Sequence, residues 1–117
     1  MAYQKKGKKF GRKRDQRRQL FRSLARSIIL HERISTTEAR AKAVRPYLEK
    51  LVTRAKTDTL PNRRLLLAEL HNDSATVQKL ITTLGTRYAE RKGGYVRILK
   101  VTPRQGSGRS SAIIEFV

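Results

Sequence analysis

The side chains with the clearest chemical capability are the lysines and arginines of the first 26 residues. Eleven of these residues are cationic, and Asp15 is the single acid among them. A guanidinium group can bind a phosphate through a bidentate fork, and Gly7 and Gly11 let the chain pass close to a backbone in a narrow groove. The segment is therefore suited to binding phosphates through Lys5, Lys6, Lys8, Lys9, Arg12, Lys13, Arg14, Arg17, Arg18, Arg22 and Arg26.

The positive charge is unevenly distributed along the 117 residues, whose formal net charge is +19. Residues 1–26 carry a net +10, residues 27–56 carry +4, residues 57–84 are neutral and residues 85–117 carry +5. Two basic regions around a neutral middle indicate a polyanionic partner. Nucleic acid is favoured over an anionic membrane surface.

Residues 1–14 lack apolar periodicity, and Phe10 is the one large apolar side chain between Tyr3 and Leu20. Such a segment buries too little apolar surface to offset the entropy lost on ordering. We expect an extended basic arm that takes a defined shape only against a polyanion. An arm that must thread a preshaped polyanion favours folded RNA over bare duplex DNA.

Composition and motifs argue against several other classes of protein. The chain has no cysteine, which excludes disulfides and cysteine-based zinc sites, and no apolar run is long enough to cross a membrane. No apolar stretch follows the basic start as in a secretory signal, so a cytosolic protein is expected. His31-Glu32 lacks a second histidine four residues later, and Gly106-Ser107-Gly108 lies outside a strand–helix turn. We therefore expect no enzyme, no metal and no cofactor.

Two motifs that suggest nucleic-acid readout are weak. The third and fourth predicted helices resemble a helix-turn-helix, but the second of them offers Lys79 as its one cation. Lys92-Gly93-Gly94-Tyr95 resembles the start of an RNA-recognition strand, yet its aromatic pattern is displaced. Tyr88 and Tyr95 could stack on an unpaired base, although core packing is the favoured role for at least one. A nucleoid-type DNA-binding protein and a membrane-surface protein remain alternatives.

Apolar spacing predicts four helices with a short strand after the first. The first helix runs from about Asp15 to His31, and the strand covers residues 33–36. The second helix begins after Ser35 or Thr37 and ends near residue 56, with a kink or a break at Pro46. A third covers residues 61–70, and a fourth, capped within residues 72–74, stops at Gly85.

The apolar period changes to two near the C-terminus. Residues 95–102 and 111–117 are predicted to form a β-hairpin whose basic tip spans residues 103–110. The predicted fold is α+β, with helices packed on one face of a small antiparallel sheet. The arm covers residues 1–14, and a single domain covers residues 15–117. The predicted core is Leu24, Ile28, Val44, Leu48, Leu51, Leu66, Leu80, Ile98 and Ile114.

The sequence resembles the bacterial large-subunit ribosomal protein seventeen family nearly from end to end. The most specific stretch is residues 87–100, which read RYAERKGGYVRILK. Further matches follow in the same order and spacing along the chain: Arg17, Phe21, Arg22, His31-Glu32, Thr36-Thr37, Lys42, Ala55-Lys56-Thr57-Asp58 and Asn62-Arg63-Arg64.

The resemblance implies a structural constituent of the large ribosomal subunit that binds and stabilises 23S rRNA and contributes to translation and subunit assembly. It also implies neighbouring large-subunit proteins as partners, a cytoplasmic location in the ribosome, and a place on the solvent side near the polypeptide exit. The arm and first helix are expected to supply the main RNA contacts. The hairpin region is expected to supply a second set, from Arg87, Arg91, Lys92, Arg97, Arg104 and Arg109.

Overall fold

The structure, a computed structural model, describes residues 14–101 and 111–117. The order of elements confirms the predicted α+β fold: helix, strand, three helices and two strands. The helices are α1 (Arg14–His31), α2 (Glu38–Ala55), α3 (Leu60–Glu69) and α4 (Ser74–Lys79), which continues into a π-helical segment, Leu80–Gly85. The strands are β1 (Arg33–Thr37), β2 (Val96–Val101) and β3 (Ser111–Phe116). The predicted arm, apart from Arg14, and the hairpin tip lie outside the described residues.

The three described strands form one antiparallel sheet in the order β1-β3-β2. The predicted hairpin is confirmed, because β2 pairs with β3 along its whole length. The short strand β1 is stabilised by pairing with the other edge of β3. Ile114 faces Ile34 on one side and Ile98 on the other, and Ala112, Ile114 and Phe116 are buried. Because side chains alternate along a strand, these three residues share one face of the sheet, and this buried face packs against the helices.

The core lies between the helices and the inner face of the sheet. Seven of the nine predicted core residues are buried, whereas Leu24 and Ile98 are partly buried and pack against its edge. Tyr88 and Tyr95 also belong to the core, with exposed fractions of 2% and 0%. Both rings are therefore unavailable for stacking on an RNA base. Their centroids lie 5.2 Å apart.

Side-chain caps fix where three of the helices begin. Thr37 caps α2 by accepting a hydrogen bond from the Arg40 backbone N–H at 3.2 Å, which selects it over Ser35. Asp73 caps α4 in the same way. The predicted break at Pro46 is absent, since α2 continues through it. Burial of side chains before and after the proline holds both halves of α2 on one core.

Gly85 does not end a helix, so that prediction is wrong. It lies at the end of the π-helical segment, and helical backbone continues through Arg87. A Cβ placed on Gly85 would lie 2.8 Å from the Ala55 carbonyl oxygen. The glycine is therefore needed for the close approach of two helical backbones, not for a left-handed turn.

Candidate nucleic-acid interface

Three arginines at the start of α1 form an arginine cluster: Arg14, Arg17 and Arg18. Together with Phe21 and Tyr47 they line a cavity of about 190 Å³ between α1 and α2. Arg14 and Arg18 are exposed and Arg17 is half-buried. No carboxylate pairs with these guanidinium groups among residues 14–101 and 111–117. Their charge is therefore uncompensated where the predicted arm joins the domain.

Arg22, one of the predicted phosphate-binding arginines, is half-buried. Its Nε is buried and has no hydrogen-bond partner within the described structure. The side chain lies beside Tyr47, whose hydroxyl donates to Glu69 Oε2 at 2.7 Å. Burial, followed by the Glu69 contact, raises the pKa of Tyr47. The Arg22 head group thus lies partly within the junction of α1, α2 and α3.

Arg26 is anchored by an ion pair between α1 and the start of α4. Its Nε donates to Asp73 Oδ2, and the other carboxylate oxygen of Asp73 accepts from the Thr76 backbone N–H at 3.2 Å. The Arg26 contact and then the Thr76 contacts lower the pKa of Asp73 to about 2. About half of the Arg26 side chain, 51%, stays exposed. Arg26 therefore has a structural role whether or not it also contacts RNA.

Arg87 forms a bidentate pair with Glu32, at the junction of α1 and β1. The distances from its two terminal nitrogens to the carboxylate are 2.8 and 3.3 Å, and Lys79 lies 3.5 Å from the same carboxylate. The Arg87 hydrogen bonds are the main cause of the lowered pKa of Glu32, and they raise the pKa of Arg87. The backbone carbonyl of Glu32 also accepts from the Phe116 N–H at 3.0 Å. This pair fixes the end of the long helical segment to the sheet.

Arg97 belongs to a row of three charges on the outer face of the sheet. Its Nε lies 2.6 Å from Glu115, and Arg33 on the opposite strand lies 3.5 Å from the same carboxylate. The two arginine side chains are 56% and 60% exposed, whereas the Glu115 side chain is 11% exposed. One carboxylate between two cations leaves the row with a positive charge.

The loop before β2 holds Arg91 and Lys92 exposed at the surface. Lys56 Nζ donates to the Arg91 carbonyl and, at 2.9 Å, to the Tyr95 hydroxyl. The hydrogen bond from Lys56 and then the one from Thr53 to the Tyr95 hydroxyl lower the pKa of Tyr95. Glu49 accepts hydrogen bonds from the Gly94 and Val96 backbone N–H groups, each at 3.2 Å. Much of the most specific stretch of the sequence therefore anchors this loop to α2.

The structure brings together only part of the predicted RNA-binding set. Eight of its cations lie outside the described residues: Lys5, Lys6, Lys8, Lys9, Arg12, Lys13, Arg104 and Arg109. Sequence reasoning did not assign four further exposed cations without a carboxylate partner in the described ranges: Arg45, Lys50, Arg54 and Arg64. The signal that could have identified the first three is their position on the polar side of the amphipathic pattern of α2.

Within residues 14–101 and 111–117, no group of three or more histidine, aspartate or glutamate side chains is placed to hold a metal ion. No helix in those ranges has the length and apolar character that crossing a membrane requires.

The fold and the surface define a small, strongly basic α+β protein. Its lysines and arginines outnumber its aspartates and glutamates, so much of its positive charge is uncompensated. A model of the ribosomal protein L17 family matches residues 20–117, and the chain belongs to that family of large-subunit ribosomal proteins. This family consists of structural ribosomal proteins and is not a class of enzymes. The predicted resemblance is confirmed.

Three relatives match over nearly their full length, and each is named large ribosomal subunit protein bL17. The Thermomicrobium roseum protein is 47% identical over 117 residues, covering 100% of this chain and 99% of the relative. The Staphylococcus epidermidis protein is 50% identical, covering 94% and 98%. The Shouchella clausii protein is 48% identical, covering 100% of both.

Proposed function

We propose that this protein binds and stabilises 23S rRNA in the large subunit through phosphate contacts, and so contributes to translation and subunit assembly in the bacterial cytoplasm. Membership of the ribosomal protein L17 family supports the large-subunit role. The observation that carries the RNA contact is the uncompensated arginine cluster of Arg14, Arg17 and Arg18. Three guanidinium groups without a carboxylate partner in the described structure favour an anionic ligand.

The proposed organisation is an arm of residues 1–14 joined to a domain of residues 15–117. The arm contributes Lys5, Lys6, Lys8, Lys9, Arg12 and Lys13, and the arginine cluster continues this charge onto α1. Ordering the arm costs conformational entropy, which its phosphate contacts offset only when RNA is present. The neighbouring large-subunit proteins are proposed as further partners.

The hairpin region supplies the second set of proposed contacts, and several of its cations have two roles. Arg87 and Arg97, like Arg26 in α1, already bind a carboxylate of the chain. A guanidinium group has five N–H donors, so an exposed, paired arginine retains donors for a phosphate oxygen. Arg91 and Lys92 are exposed in the loop before β2, and Arg104 and Arg109 complete the proposed set.

Sedimentation tests the ribosomal assignment in a magnesium buffer that preserves ribosomes. We expect the protein to migrate with the large subunit after DNase treatment and to be released by RNase. Release by DNase alone would support a nucleoid-type DNA-binding protein. Binding to anionic vesicles that persists in excess RNA would support a membrane-surface protein.

A triple variant tests the arginine cluster directly. The variant combines Arg14→Gln, Arg17→Gln and Arg18→Gln, and it should bind large-subunit RNA more weakly. Each phosphate contact contributes about 0.7 to 0.9 to the slope of log affinity against log salt, so the slope should fall by roughly 2 to 3. The control replaces Arg40 and Arg64 by Gln, since neither has a carboxylate partner among residues 14–101 and 111–117. Equal effects of the two variants for each charge removed would contradict the assignment.

A further inference from the structure

Two neighbouring cavities beside α2 share the lining residue Glu49 and are here together called the α2 groove. One cavity of about 430 Å³ is lined by residues that include Glu49, Lys50 and Arg54. The second, of about 380 Å³, includes Arg45 and the same Glu49, and it reaches Gly94 in the loop before β2. The groove therefore follows the exposed side of α2 for most of its length.

Each of the two cavities of the α2 groove is lined by cations of α2. Arg45, Lys50 and Arg54 are exposed and have no carboxylate partner within residues 14–101 and 111–117. Lys42, near the start of the groove, is compensated by Glu38 at 2.9 Å. From Arg45 to Arg54 the helix rises by about 14 Å, at roughly 1.5 Å a residue. Because the helix turns once in about 3.6 residues, Arg45 and Arg54 lie on opposite flanks of its exposed side. The groove thus presents cations spread along the helix and not a single anion site.

The one acid that lines both cavities is already engaged. The two carboxylate oxygens of Glu49 accept hydrogen bonds from the Gly94 and Val96 backbone N–H groups, each at 3.2 Å. These bonds hold the charge of Glu49 against the loop, where it partly compensates backbone dipoles. The same loop presents Arg91 and Lys92 at the surface. Arg91 of the hairpin region lies at the edge of the groove, because its Nη1 donates to the carbonyl of Gly94 at 3.3 Å.

We propose that the α2 groove binds the sugar–phosphate backbone of one RNA strand, as a third contact surface beside the arm with α1 and the hairpin region. This inference rests on the proposed function, because it concerns the same class of ligand. Several cations spread along one helix suit the repeated charge of a polynucleotide. The lining residues include no aromatic side chain for base stacking. Binding in this groove is therefore independent of base sequence.

Removing two charges from the groove provides the first test. The test variant is the full chain with both Lys50→Gln and Arg54→Gln, and its ligand is a twelve-residue oligouridylate. The slope of log affinity against log salt should fall by about 1.4, because each single-strand phosphate contact contributes roughly 0.7. Oligocytidylate of the same length should show the same loss. The charge-matched control, Arg40→Gln with Arg64→Gln, changes cations that line neither cavity and should alter the slope little. Equal slopes in the two variants, or a loss with only one of the two RNAs, would overturn the inference.

A tethered cleavage reagent provides the second test, because the chain has no cysteine of its own. Thr57→Cys places an iron–EDTA group in the groove, and Ala68→Cys places it on the exposed side of α3. In complexes with large-subunit RNA, we expect hydroxyl radicals generated in the groove to cut the RNA more strongly than those generated on α3. Equal or weaker cleavage from the groove would overturn the inference.

The two tests separate this inference from the proposed function. If the groove variant and the groove reagent both behave like their controls while the arginine-cluster variant still weakens RNA binding, the groove assignment alone is wrong. If the unmodified chain fails to migrate with the large subunit, the proposed function itself is wrong.

Discussion

At the scale of single residues, the predicted RNA-binding set includes two contrasting groups of described cations. Arg26, Arg87 and Arg97 bind carboxylates of the chain, whereas Arg14 and Arg18 have no such partner in the described structure. A substitution in the first group removes a contact between elements as well as a positive charge. A substitution in the second group removes charge with little effect on folding. The two groups therefore call for different controls.

Asp73→Asn tests the ion pair with Arg26. Asparagine keeps the helix cap but removes the negative charge, so the variant should be less stable near neutral pH. The pKa of Asp73 is lowered from 3.8 to about 2, so its contribution is present above pH 3.8 and is lost as the pH falls through about 2. The difference between wild type and variant in urea unfolding should therefore narrow between pH 4 and pH 2.

A control for this titration is Asp15→Asn. Asp15 is exposed and has no ion-pair partner among residues 14–101 and 111–117. Its replacement should change the urea midpoint little at any pH in this range. A difference between wild type and Asp73→Asn that stays constant down to pH 2 would contradict the role of the Asp73 carboxylate.

At the scale of elements, the packing of α2 against the π-helical segment depends on Gly85. Helix propensity alone would make alanine stabilising here by up to about 1 kcal/mol. The added Cβ would lie 2.8 Å from the Ala55 carbonyl oxygen, so the two backbones must separate. We expect Gly85→Ala to destabilise the protein by roughly 1–3 kcal/mol, measured by chemical unfolding.

Gly93→Ala is the matched control for this close approach. No atom lies within 4 Å of a Cβ placed on Gly93, and its backbone does not adopt the left-handed conformation seen at Gly94. Its replacement should change the free energy of unfolding by no more than about 0.5 kcal/mol. A stabilising Gly85→Ala substitution would show that α2 and the π-helical segment are not packed as described.

At the scale of the whole molecule, a net charge of +19 acts against the compact state. Screening weakens this repulsion, so the melting temperature of the free protein should rise by a few degrees as NaCl increases from low to physiological concentration. The variant with Gln at positions 14, 17 and 18 has three fewer positive charges and should show a smaller rise. A melting temperature that falls with added salt would mean that the ion pairs outweigh the repulsion.

The sequence by itself determined the helices, the hairpin, most of the core and the excess of positive charge. These features depend on local spacing: apolar residues recurring every three to four positions define a helix face, and alternation defines a strand. The predicted strand 33–36 was also accessible, and the sequence narrowed the cap of α2 to Ser35 or Thr37, because both features depend on neighbouring residues.

Only the tertiary structure decided which cations are compensated and which are not. Arg26 and Asp73 are 47 residues apart, and Arg87 and Glu32 are 55 apart, so no local pattern relates them. The same holds for Gly85, whose role depends on how closely α2 approaches. Charge and periodicity are properties of short segments, whereas ion pairs and close backbone approaches arise only when distant segments pack together.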